Sequence, residues 1–225
     1  GLWSVVDLDG DGKVDLVVTD GATEQKRRWK IYKNIGTGFS PTSVDWSLPA
    51  GSPNGNGYFT FVNGLWSTFD LTGSGKIDLV VTEAATEKNR KWKRYENTGA
   101  GFAAKSTDWS LPAGSPNGNG YFIPANGLWS TFDLSGSGRP DLIVTEAATE
   151  KNRKWKRYEN TGTGFADKAV DWALPAGSPN GNGFFIPANG LWSTVDLDGD
   201  KRPELVITDG ATEQKRRWKI YHNLP

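Results

Sequence analysis

The amino-acid sequence predicts an all-β protein, a β-propeller built from 63-residue, four-stranded blades. Three observations carry that expectation. The string Gly-Leu-Trp-Ser begins at Gly1, Gly64, Gly127 and Gly190, so one module recurs at a fixed interval of 63 residues. Each full module holds four short strand signals separated by glycine- and proline-rich turns. No segment spaces its apolar residues by three and four over helical length. A β-helix needs shorter repeats, and a β-sandwich lacks so regular a period. A single blade cannot bury both its faces, so modules of this kind must stack on one another about a common axis.

The second module shows the elements in order. Residues 65–70 form an apolar-rich first strand that ends in the turn at 72–75, Thr-Gly-Ser-Gly. Residues 77–82 are a β-branched second strand, followed by a polar loop over 83–89. The third strand, 91–95, alternates lysine or arginine with tryptophan and tyrosine and is turned by Asn-Thr-Gly-Ala-Gly at 97–101. A weaker fourth strand lies around 107–111, and a long glycine-proline loop follows at 112–120. The expected domain is a single propeller over 1–225, with blades at 1–63, 64–126, 127–189 and 190–225. The last carries only three strand signals. Thr19 to Tyr32 and Thr208 to Tyr221 share one sequence, and the two middle modules share another, so the terminal blades are expected to meet a different environment. They would meet each other in a four-bladed monomer, or a second chain in a larger dimeric ring. The open edge of the short blade favours a homodimer.

Composition narrows the function. The chain has 26 basic and 26 acidic residues, so no global field draws it to nucleic acid or to an anionic membrane. It has no cysteine, which excludes disulfides and thiolate metal sites, and 28 glycines and 11 tryptophans, which suit many turns and a ring-rich core. No apolar run approaches the length of a membrane span, and no charged-then-apolar leader is expected before Gly1. Without methionine even at position 1, the chain is expected to be a processed or trimmed product. Lys88 to Tyr95 and Lys151 to Tyr158 mix cations with aromatics, but Glu83, Glu87 and Glu96 lie close by. These stretches read as a solvated outer strand.

The turn between the first two strands of the first module reads Asp7-Leu-Asp9-Gly-Asp11-Gly-Lys13-Val-Asp15. Carboxylates at positions 1, 3, 5 and 9, with glycines for the bend and the Lys13 carbonyl between, are what a hard cation such as calcium requires. In the fourth module Asp196, Asp198, Asp200 and Glu204 persist, but Lys201 stands at a glycine position and Pro203 stiffens the loop. The middle modules keep only Asp70 and Asp78, or Asp133 and Asp141, with Thr72, Ser74, Ser135 and Ser137 in the other slots. These two are expected to be metal-free turns whose hydroxyls bond backbone amides. The alternative is that all four loops are plain polar turns.

Asp-x-Asp-Gly-Asp-Gly-x-x-Asp-Leu, then Val-Val, a Trp/Tyr strand and Asn-x-Gly-x-Gly-Phe, resembles the FG-GAP/VCBS repeat. That family includes the blades of integrin α-subunit propellers and propeller segments of secreted bacterial surface and toxin proteins. The blades are also similar to those of a fungal seven-bladed, N-acetylglucosamine-binding lectin. The resemblance implies structural calcium on Asp7, Asp9, Asp11 and Asp15, and a secreted or cell-surface location.

A second candidate site recurs near the end of each full module. It comprises Asp45, Trp46, Asn54, Asn56 and Tyr58; Asp108, Trp109, Asn117, Asn119 and Tyr121; and Asp171, Trp172, Asn180, Asn182 and Phe184. Aromatic faces stack on sugar rings while carboxylates and amides bond hydroxyls, and three such sites on one body give avidity. Glycans are therefore the expected partners, with core packing as the alternative role of the tryptophans. The chain is not expected to be an enzyme, since its one histidine, His222, lies near the C-terminus and no Ser-His-Asp set or phosphate loop is present. Two other readings stand beside the lectin: a protein-interaction scaffold, and an engineered or recently duplicated repeat protein without a specific ligand.

Overall fold

The computed structural model describes residues 2–51, 53, 58–60, 65–114, 122, 128–146, 148–177, 185, 191–209 and 215–223. These residues form fifteen strands and no helix. The first blade holds β1 (Trp3–Val6), β2 (Asp15–Val18), β3 (Arg28–Tyr32) and β4 (Val44–Ser47). The second holds β5 (Trp66–Phe69), β6 (Asp78–Val81), β7 (Lys91–Tyr95) and β8 (Thr107–Ser110), and the third β9 (Trp129–Phe132), β10 (Asp141–Val144), β11 (Lys154–Tyr158) and β12 (Val170–Ala173). In the fourth blade the described strands are β13 (Trp192–Val195), β14 (Glu204–Ile207) and β15 (Lys219–Tyr221). Every sheet is an antiparallel meander in chain order. These are propeller blades, as the period predicts. No helix long and apolar enough to cross a membrane is present among the described residues.

Local sequence explains the strands. The second strand of each blade reads Asp-Leu-Val-Val, Asp-Leu-Ile-Val or Glu-Leu-Val-Ile and is buried or nearly so along its length. β-branched residues suit a strand covered on both faces. A threonine ends each of these strands and returns two bonds to one carbonyl. In the first blade the Thr19 amide and hydroxyl both donate to Leu2, at 2.9 and 3.0 Å, and Thr82, Thr145 and Thr208 repeat the device on Leu65, Leu128 and Leu191. The third strand alternates with period two, Trp29 and Ile31 buried and Arg28 and Lys30 exposed.

Two compact units divide the chain: Gly1–Ser110 with Ile123–Ala125, and Leu111–Phe122 with Asn126–Pro225. Each unit contains a blade junction, and the two junctions share a plan. In the first unit Trp29, fully buried, donates its indole N–H to the Phe59 carbonyl at 3.0 Å and packs on Trp66 at 5.3 Å. Trp155 repeats this in the second unit, donating to Phe185 at 3.0 Å and packing on Trp192 at 5.3 Å. Phe59 and Phe185 sit at φ 47° and 50°, conformations that non-glycine residues adopt at a cost of about 1–3 kcal/mol. Burial of the ring and the bond from the tryptophan hold them there. Neither role is visible in composition, although the phenylalanines recur at the blade period.

One glycine is dictated by close approach. Gly101 bridges to Ser47, and the Phe102 amide donates to the Ser47 carbonyl at 2.8 Å. A Cβ on Gly101 would lie 2.6 Å from the Ser47 Cβ. This contact seats Phe102 between Trp29 and Trp46, edge-on to each at 5.5 and 5.9 Å.

Candidate functional site

The first acidic loop folds largely around its own carboxylates. Asp7 accepts the Gly10 and Gly12 amides at 2.8 and 2.9 Å, Asp9 accepts Asp11, and Asp11 accepts Lys13. Gly10 and Gly12 make the bend at φ 78° and 84°. Asp7, Asp9 and Asp11 each offer an oxygen within 4.8 Å of the others. Asp15 lies outside that group of three. It accepts the Asn34 amide at 2.8 Å on one oxygen, while its other oxygen is buried without a hydrogen-bond partner. Burial pushes the Asp15 carboxyl above its ordinary value. Lys33 contacts Asp9 at 2.6 Å, holding that carboxyl below its ordinary value and raising its own.

The middle blades solve the same charge differently. Asp78 and Asp141 occupy the Asp15 position, and there Arg94 and Arg157 reach them at 2.5 and 3.3 Å. Burial still holds both carboxyls above the ordinary range, against the pull of the arginines. In the terminal blades the arginine position is Ile31 or Ile220. Loops with more acids thus lack the guanidinium, and loops with fewer acids have it. The Ser74 and Ser137 hydroxyls each accept the amide two residues on at 3.2 Å, as the sequence predicts, whereas the Thr72 and Ser135 hydroxyls donate to the Asp70 and Asp133 carboxylates at 3.4 and 3.2 Å. The donor set of the first loop fits a hard cation: three converging carboxylates and an unsatisfied buried oxygen beside them. In the fourth loop Asp196, Asp198 and Asp200 converge likewise, and Asp198 also groups with Glu204 and His222. Sequence reasoning set His222 aside. It stands where the first blade has Lys33, 4.0 Å from Glu204.

The second candidate site is divided by the pleat. On β4, Trp46 registers with Trp29 and Asp45 with Lys30, so ring and carboxylate leave opposite faces of the blade. The same holds for Trp109 and Asp108, and for Trp172 and Asp171. The carboxylates form exposed ion pairs: Asp45 with Arg28 at 2.7 Å, Asp108 with Lys91 and Lys93 at 2.8 and 2.5 Å, and Asp171 with Lys154 and Lys156 at 2.8 and 2.5 Å. Two lysines hold Asp108 and Asp171 each at about 2. Trp46 and Trp109 are buried, 5% and 2% exposed. Tyr58 is also buried, its hydroxyl donating to the Pro49 carbonyl. Asn54, Asn56, Asn117, Asn119, Tyr121, Asn180, Asn182 and Phe184 lie outside the described residues.

Trp172 differs from its counterparts. It is half-buried at the rim of a cavity of about 520 Å³ between the third and fourth blades, with the Arg157 guanidinium 5.6 Å from its ring centre. Thr194, Tyr221, His222 and Asn223 supply polar groups to the wall, and Leu134, Leu174 and Leu205 the apolar floor. Between the first and second blades the equivalent tryptophan, Trp46, is covered by Phe102 at 5.9 Å.

No family model matches the chain, and no curated protein matches it. Among solved structures the chain is similar to a lectin of Agrocybe aegerita that recognises non-reducing terminal N-acetylglucosamine, at 17% identity and a TM-score of 0.45. It is also similar to the Photorhabdus luminescens Tc holotoxin pore, at 19% identity and a TM-score of 0.42. These alignments take in 91% and 99% of this chain. It spans 46% of the lectin chain and 11% of the toxin chain.

Proposed function

We propose that the chain is a carbohydrate-binding module of the FG-GAP/VCBS type, with its principal sugar site at the junction of the third and fourth blades. The observation that carries this reading is the cavity beside Trp172. A partly open indole, an apolar floor and hydroxyl, amide and imidazole groups in about 520 Å³ suit one or two sugar rings. The ring packs on the C–H face of the sugar, and Thr194 and Asn223 bond its hydroxyls. Phe102 covers Trp46 at one junction while Trp172 borders a cavity at the other, so one strong site per chain is expected in place of several equal ones. Calcium in the first loop, and more weakly in the fourth, staples the turns. The unsatisfied oxygen of Asp15 supports the first of these.

A glycan array that includes non-reducing terminal N-acetylglucosamine, read with and without a chelator, tests the reading. Titration of the best ligand then follows. Trp172→Ala is expected to weaken binding about tenfold, the scale of one aromatic contact. Asp45→Asn, which lies in the other compact unit, leaves it unchanged. Binding that survives Trp172→Ala intact, or an array without a ligand, refutes the proposal.

A further inference from the structure

Thirteen large hydrophobic residues stand exposed among the described residues; seven belong to the first blade, five to the fourth and only Val170 to a middle one. Sequence does not account for this, because the same positions are buried elsewhere. Trp3 is 63% exposed, whereas Trp66 and Trp129 are 5% and 6%. Phe39 is 42% exposed against 4% for Phe102, and Trp218 is 59% against 0% for Trp29.

The junctions inside each compact unit show what these residues do when covered. The tryptophan of one blade's third strand meets the first-strand tryptophan of the next, at 5.3 Å in both units. In the first unit it also meets the next blade's phenylalanine at 5.5 Å. A polar key accompanies the rings. Asn97 donates its side-chain amide to the Leu8 carbonyl at 2.6 Å, and Asn223 donates to Leu134 at 2.8 Å. The junction is directional, and its two halves are unlike. The fourth blade carries the leading half, Trp218 with the Leu197 carbonyl. The first blade carries the receiving half, Trp3, Phe39 and Asn34.

We infer that the chain forms a head-to-tail homodimer in which the fourth blade of each copy docks on the first blade of the other. Trp218 packs on Trp3 and Phe39 of the second copy, and Asn34 of that copy donates to the Leu197 carbonyl. The occupant is a second copy because the two halves of one junction stand exposed on a single chain. Made reciprocally between two copies, a heterologous contact of this kind uses both exposed halves of each. The inference is independent of any sugar.

Sedimentation velocity and light scattering of the full chain, from about 1 to 100 µM, test it. The expected mass is twice 24.6 kDa. Trp218→Lys and Phe39→Lys each raise the dissociation constant about 30-fold or more, as expected for central aromatic contacts, while Val170→Lys leaves it unchanged. Mixing Trp218→Lys with Phe39→Lys restores a two-chain species, because each variant retains the half that the other lacks. The inference is overturned if the wild-type chain stays at 24.6 kDa throughout. A dimer untouched by both lysine substitutions, or one that Val170→Lys dissociates, also overturns it.

Discussion

Phe102 offers a test of blade packing with an internal control. It is 4% exposed and sits edge-on between Trp29 and Trp46, on the side of the second blade that meets the first. Phe102→Ala removes a buried ring from rigid aromatic walls that cannot collapse onto the space. Such truncations cost about 3–5 kcal/mol, and two aromatic pairs place this one toward the upper end. Phe39 holds the same position in the first blade but is 42% exposed. Phe39→Ala should cost less than about 1 kcal/mol, as for other substitutions away from a packed core. The assay is urea unfolding followed by tryptophan fluorescence, at a concentration where the chain sediments as a monomer. With a urea slope of about 2 kcal/mol per molar, Phe102→Ala lowers the midpoint by about 2 M. Equal losses for the two variants would refute the claim that neighbouring-blade contact, not sequence position, stabilises the ring.

Three further predictions concern charge. Asp15→Asn should raise the calcium-free melting temperature by removing a buried carboxylate, and should abolish any rise on adding calcium. A wild-type gain of about 2.7 kcal/mol is expected at one hundred times the dissociation constant, read by calorimetry with and without chelator. Arg94→Ile, which places the terminal-blade residue in the second blade, strands the Asp78 carboxylate. It should cost about 3–5 kcal/mol in equilibrium unfolding, more than Arg94→Ile combined with Asp78→Asn. Asp108 and Asp171 should titrate at about 2 in carboxyl-carbon NMR. Because the folded value lies below the unfolded one near 4, their stabilisation is complete above about pH 4 and disappears as pH falls through about 2. Lys93→Ala should move the Asp108 midpoint upward.

Much of the fold was legible because its cause is local and repeated. The β-branched run 78–81, the alternation of Trp92 with lysines and arginine, and the glycines at 10 and 12 announce strand, strand and turn without reference to distant residues. The 63-residue period multiplied that evidence and made the blade the unit. The candidate sites were less legible. Asp108 and Trp109 are neighbours in sequence, and the pleat separates them onto opposite faces. Trp46 and Trp172 occupy one position of the repeat, yet one is covered by Phe102 and the other borders a cavity. Nothing in either local sequence distinguishes them. The link between Asp78 and Arg94 could have been found by asking which residues vary together between middle and terminal blades.

The amino-acid sequence alone determined the strands, the turns, the blade and the loop with converging carboxylates, because backbone preference and side-chain alternation act over a few residues. Only the tertiary structure decided which tryptophans are buried, which carboxylates meet a cation of the protein and which junction stays open. Those outcomes depend on what the next blade brings into contact, and a blade's own sequence does not contain its neighbour.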